Sequence, residues 1–220
     1  MQVPVPDGTL TMLPGHSNLV ALTVDDGTDT EVLRAYLLLA RRTGLRLTFF
    51  ANGMTPSWTE HAPLLRPLVD EGQAIICNHT WSHRDLTGLS NYEIADEIQK
   101  NENFLINLYG VNGRPFLRPP YGNHNARVEQ MVAALGYPAL TMWWGSLGDS
   151  TAIPTRQVLA NAEQWLRPQR LVIGHANHAG VLPVMERIVD IIRERKLRPV
   201  HLADIFNVAE LPPVPPFPVS

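Results

Sequence analysis

The alternation of short apolar runs with amphipathic segments constrains this chain more than any other feature. Seven stretches read as strands: Asn18–Val24, Leu45–Ala51, Gln73–Cys77, Arg114–Arg118, Tyr137–Trp143, Arg170–Ile173 and Pro199–Leu202. Helical patterns fill most of the gaps, at Thr30–Gly44, Ala62–Glu71, Ser90–Gly110, Asn125–Gly136, Thr155–Leu166 and Leu182–Lys196. Thr30 reads as the cap of the first helix, and Ser90 with Glu93 forms a capping box at the head of another. Strands separated by helices pair in parallel, because a parallel connection needs a crossover and a helix supplies it. The chain is therefore expected to be α/β, a distorted or incomplete (β/α) barrel with about seven parallel strands. Barrels and open parallel sheets both gather their ligands beyond the strand C-terminal ends, so the place of a site does not depend on which forms.

The 220 residues suit one large domain. It is expected to span residues 18–207, between an extended N-terminal arm, 1–17, and a proline-rich tail, 208–220. A net charge of -3, with no basic stripe, argues against nucleic acid as a partner. No apolar run has the length of a membrane span. The N-terminus lacks the basic start and apolar middle of an export signal. A lone cysteine, Cys77, excludes an internal disulfide, and its neighbours Ile75 and Ile76 mark it as a buried thiol.

Polar residues then collect after the expected strands. Asp25-Asp26-Gly27 follows the first, in a pattern that also serves ordinary turns. Side chains alternate along a strand, so the two carboxylates are expected to point in different directions, one toward a metal and one free to move a proton. His79 and His83 stand four apart after the third strand, Arg118 ends the fourth, Asp149 follows the fifth and His175 ends the sixth. Spacing alone leaves the histidines open between a loop role and a shared metal. With Asp26 they make an Asp-His-His set that leaves room for water or substrate. Zinc suits such donors, and cobalt, nickel, manganese or iron also fit them. Trp81 and Tyr121 read equally well as sugar-stacking surfaces or as lids of the core.

Four segments, Thr23-Val24-Asp25-Asp26-Gly27, His79-Thr80-Trp81-Ser82-His83, Arg118-Pro119-Pro120-Tyr121-Gly122 and Leu171-Val172-Ile173-Gly174-His175, together resemble the successive motifs of the NodB-homology polysaccharide deacetylases, carbohydrate esterase family four. The resemblance runs from about Leu19 to Phe206. It implies a distorted (β/α) barrel that uses a divalent metal to remove acetyl groups from a carbohydrate polymer: peptidoglycan, a chitin-like chain or acetylated xylan. It further implies Asp25 as general base, Asp26, His79 and His83 as metal ligands, His175 as general acid, Arg118 as the partner of Asp25, and the Tyr121 N–H as an oxyanion donor. Such enzymes usually meet their polymers outside the cytoplasm. Departures lie in the fourth motif, where Ser146 and Ser150 replace an aspartate and a tryptophan while Asp149 remains to orient His175. Trp143 or Trp144 is expected to wall the acyl pocket instead, opposite Ile173. That change keeps a small-amide or imide hydrolase in view, and a carbohydrate-binding protein without catalysis is the other alternative.

Overall fold

The structure is a computed structural model that describes residues 2–208. The expected tail therefore lies almost wholly outside the described residues. Nine strands form one sheet: β1 (Gly8–Leu10), β2 (Leu19–Asp26), β3 (Leu47–Ala51), β4 (Ala74–Asn78), β5 (Phe116–Leu117), β6 (Ala139–Thr141), β7 (Gly145–Ser146), β8 (Arg170–His175) and β9 (Arg198–Pro199). The helices are α1 (Thr30–Thr43), α2 (Pro56–Glu60), α3 (Ala62–Asp70), α4 (Asn91–Tyr109), α5 (Ala126–Ala134), α6 (Thr155–Trp165), α7 (Met185–Glu194) and α8 (Leu202–Ile205). Every ladder between named strands is parallel, in the order β1-β6-β5-β4-β3-β2-β8-β7, with β9 added beside β2. This is the distorted (β/α) barrel the alternation predicts, with nine strands in place of seven.

The differences trace to particular contacts. Three residues of the expected arm, Gly8–Leu10, pair with β6 and cover its free edge, a contact that no periodicity in so short a run announces. The expected fifth strand, Tyr137–Trp143, shortens to β6, and a further strand that the sequence reading did not include, β7, follows just past its end. β6 pairs with β5 and β1, whereas β7 pairs with β8 at the opposite end of the sheet order. Only Met142–Trp144 separates them, so this bend carries the chain across the seam of the barrel. Trp165 packs against Gly145 so closely that a Cβ there would lie 2.6 Å from it. At the C-terminus, the expected strand Pro199–Leu202 is reduced to β9, and Leu202 already opens α8. Asp29, rather than Thr30, caps α1, accepting the backbone N–H groups of Glu31 and Val32. The box at Ser90 and Glu93 forms as read.

The two faces of β2 show how the core is divided. Val20, Leu22 and Val24 point outward into the layer under α1, α3 and α7. Leu19 and Ala21 point into the barrel, beside Phe50, Cys77, Ala139 and Leu171. Parity then aims Thr23 and Asp25 along the same inner column, toward the mouth. Cys77 is buried and unpaired, and burial pushes its thiol well above the ordinary range, so it is inert.

Candidate metal and catalytic site

The predicted side chains meet at the C-terminal mouth, around a cleft of about 540 Å³ lined by Asp25, Asp26, His79, His83, Arg118, Tyr121 and His175. Asp25 arrives there by strand parity. Asp26 does not, and its backbone is the reason it is present. At φ 68° it leaves β2 in the left-handed region, which turns its carboxylate back over the mouth. The alternation rule predicted divergent carboxylates, yet both reach the same imidazole: His79 Nε2 lies 3.0 Å from Asp26 Oδ1 and 3.6 Å from Asp25 Oδ2. Gly27, at φ 84°, makes the turn possible, because a Cβ there would stand 2.8 Å from the Trp58 indole. That indole donates to the Asp26 carbonyl at 2.7 Å and pins the turn.

Thr80, His83 and Tyr121 also take positive φ, so four of the six non-glycine residues in that region among the described residues border this site. Strain concentrated at a site is held by the structure around it. Here Glu97 of α4, itself buried, accepts the Ser82 N–H at 2.8 Å and the Ser82 hydroxyl at 2.5 Å, clamping the loop between the two histidines. Asn52 donates to the carbonyls of His79 and Thr80.

Asp26, His79 and His83 offer one ligand atom each, all within 4.8 Å of one another. His79 Nδ1 lies 2.6 Å from the Arg118 carbonyl, an acceptor only, so Nδ1 carries a proton. In the neutral ring, Nε2 then turns a lone pair toward Asp26 Oδ1, and His83 Nε2 is 3.2 Å from the same oxygen. Such a convergence of lone pairs needs a cation between them, either a proton or a metal ion, so the donors fit a divalent metal of the zinc type. Burial opposes ionisation of Asp26, yet hydrogen bonds from His79 and His83 hold its carboxyl far below the usual range. Burial likewise disfavours a charged His79, and Asp25 and Asp26 reverse the balance and raise it. Asn177, just past β8, donates to Asp26 Oδ2 at 2.6 Å and is itself tied to the Thr28 hydroxyl at 2.9 Å.

Asp25, beside that triangle, is paired with Arg118. The guanidinium is fully buried and lies 4.2 Å from the Phe50 ring centroid. It donates to Asp25 Oδ1 at 2.5 Å and to Thr23 Oγ1 at 2.8 Å. Its other nitrogens bond the carbonyls of Thr141 at 2.8 Å and Met142 at 3.0 Å. Those carbonyls lie where β6 ends and the chain bends toward β7, so one side chain both closes the seam and holds the carboxylate. Across the β2–β8 ladder, His175 is the Cα partner of Asp25. Asp149 Oδ1 lies 3.1 Å from both His175 N and Nδ1. Burial would lower the pKa of His175, but the Asp149 hydrogen bond and the charges of Asp25 and Asp149 raise it.

Two of the expected pocket aromatics lie elsewhere. Trp144 is 49% exposed and covers the Arg170 guanidinium, because the bend between β6 and β7 turns successive residues to opposite sides. Trp81 packs edge-on against Phe104 of α4 and lines a separate groove with Lys100 and Asn107. Trp143 and Ile173 do line the cleft, with Ser146, Ser150 and Thr151. Tyr121 stands at the rim, 67% exposed, its ring 4.6 Å from that of His83. Asn52, Trp58 and Glu97 escaped the sequence reading. For Asn52 a signal existed, since it directly follows β3 at the active end of the sheet.

A parallel (β/α) barrel carries at its C-terminal mouth an Asp-His-His triangle whose donors fit a metal, with an Asp–Arg pair beside it. Comparison with known sequences narrows the class. The polysaccharide deacetylase family matches residues 13–140, more than half of the chain, and the chain belongs to that family. A peptidoglycan-N-acetylglucosamine deacetylase of Bacillus cereus is 28% identical over 207 residues, which cover 90% of this chain and 71% of that protein. A chitin deacetylase of Pestalotiopsis sp is 33% identical over 137 residues, 62% of this chain and 45% of that protein. Among solved structures, a peptidoglycan N-acetylglucosamine deacetylase in complex with 4-naphthalen-1-yl-N-oxidanyl-benzamide superposes with a TM-score of 0.82 at 23% identity, over 94% of this chain and 96% of that one. No helix among the described residues is long and apolar enough to cross a membrane.

Proposed function

We propose that this protein is a metal-dependent deacetylase that removes acetyl groups from N-acetylglucosamine residues of peptidoglycan or a chitin-like polymer. One observation carries the reading. The cleft holds two carboxylates of different kinds, Asp26 in the ligand triangle and Asp25 paired with Arg118. Metal-assisted hydrolysis with a carboxylate base needs this division, because a carboxylate bound to a metal is a poor proton acceptor.

Bound at Asp26, His79 and His83, a zinc-like ion would supply Lewis acidity toward the amide carbonyl and the attacking water. The remaining steps belong to the chain. Arg118 holds Asp25 Oδ1 and leaves Oδ2 turned toward the cleft, so Asp25 accepts the proton of the attacking water. His175, its Nδ1 occupied by Asp149, presents Nε2 to the departing amine and protonates it. The raised pKa of His175 favours the protonated ring that this step needs. The Tyr121 N–H serves as a second donor to the oxyanion. Trp143 and Ile173 wall the acyl group, and the exposed Tyr121 ring offers a face to the polymer.

The test is acetate release from N-acetylglucosamine oligomers by protein loaded with zinc or cobalt, beside Asp25→Asn. Turnover by wild type that Asp25→Asn lowers by roughly 100-fold or more supports the reading. Equal turnover by the two removes Asp25 as the base, and no turnover on oligomers alongside turnover on cyclic imides rejects the sugar substrate.

A further inference from the structure

Two buried polar atoms behind His175 lack a hydrogen-bond partner among the described residues: Tyr36 Oη and Asp149 Oδ2. Tyr36 lies on the inner face of α1 among Val32, Leu33 and Leu37, and is 0% exposed. A phenylalanine would fill that space equally well, and buried tyrosine hydroxyls rarely go unpaired. Both orphan atoms border one point. A Cβ built on Gly174 would stand 3.1 Å from Tyr36 Oη and 3.6 Å from Asp149 Oδ2. Gly174 precedes His175 in β8, so its missing side chain opens the space between α1 and the carboxylate that holds the imidazole.

The two oxygens of Asp149 have different tasks. Oδ1 serves both His175 N and Nδ1. Among the described residues only the bonds at Oδ1 restrain the carboxylate from rotating about its own Cβ–Cγ bond, and a rotation would release the ring. We propose that Tyr36 is a positioning residue for His175: its hydroxyl donates to Asp149 Oδ2 through one enclosed water in the space Gly174 leaves, and locks the carboxylate that orients the imidazole. The proposal rests on the assignment of His175 as proton donor. Burial, with the Asp149 charge adding to it, raises the Tyr36 pKa well above its ordinary value, so the phenol stays protonated and is the donor of the pair. A Tyr36–Asp149–His175 chain then runs from the helix layer to the cleft.

Tyr36→Phe removes the hydroxyl and little else. An orphan hydroxyl and a locking hydroxyl predict opposite signs for that change, because losing the first relieves a buried unpaired group and losing the second creates one. The proposal expects a lower Tm and a displaced His175 Nδ1–H proton resonance, assigned by its disappearance in His175→Gln. It also expects a kcat for acetate release lowered roughly ten- to a hundred-fold with KM nearly unchanged, the scale of a misplaced catalytic group. A raised Tm overturns the proposal, and so does a lowered Tm with the resonance and kcat unmoved. If wild type releases no acetate from any oligomer, the Tm and the resonance still decide, so failure of the deacetylase reading is told apart from failure of this one. Should the variant not fold, a crystal structure of the wild type that places waters decides: Oη and Oδ2 linked through a shared water, within about 3.2 Å of each, support it, and no such link overturns it.

Discussion

Replacing Arg118 by methionine strips the guanidinium from Asp25 while keeping much of the side-chain volume. Asp25 is 2% exposed, so its charge loses its main compensation without gaining water. Breaking one partner out of a buried ion pair costs about 3–5 kcal/mol. His79 Nε2, 3.6 Å from Asp25 Oδ2, offsets part of this, whereas the seam carbonyls of Thr141 and Met142 lose their donors and add to it. A chain of 220 residues shifts its Tm by about 2–4 °C per kcal/mol, so Arg118→Met should melt roughly 6–20 °C below wild type. The measurement is a thermal melt at pH 7 in chelator, which keeps metal binding out of the comparison. Asp25→Asn in the Arg118→Met background should recover about half of the loss, since a neutral amide tolerates the site and the seam carbonyls remain unpaired. A single variant melting within about 3 °C of wild type, or a double variant no better than the single, refutes the argument that this pair holds the mouth.

Asp149→Asn should move the alkaline limb of kcat to lower pH, because the Asp149 hydrogen bond and charge offset the burial that lowers the pKa of His175. The same raised pKa makes protonated His175 a stabilising group at pH below its unfolded value of about 6.5, and that contribution is lost as pH rises through the folded value. Melts of the chelated protein across this range should fall less steeply for His175→Gln. Asn177→Ala should weaken metal binding by roughly 10–100-fold in competition with a chromophoric chelator, since it frees the Asp26 carboxylate to turn; unchanged affinity would remove Asn177 from the site. Gly27→Ala should destabilise the protein by about 1–3 kcal/mol in denaturant melts, because its φ of 84° and the 2.8 Å approach to Trp58 leave no room for a methyl group.

The sequence alone determined the parallel alternation, the sheet end that carries the site, and the residue types gathered there. Those follow from periodicity and from connection geometry, which are local properties of the chain. Tertiary structure decided what depends on contacts between distant segments. Gly8–Leu10 became a strand because β6 offers it an edge, and Tyr137–Trp143 shortened to β6 because the chain bends after Thr141 to place β7 against β8 at the opposite end of the sheet. Trp144 left the cleft and Trp143 stayed for the same reason, as a bend in the seam sets which side each faces. Asp26 shows the limit most clearly. Strand parity, a local rule, sends its side chain away from that of Asp25, and a left-handed turn, allowed by the adjacent Gly27 and fixed by Trp58 and Asn177 from other parts of the barrel, brings it back to the histidines.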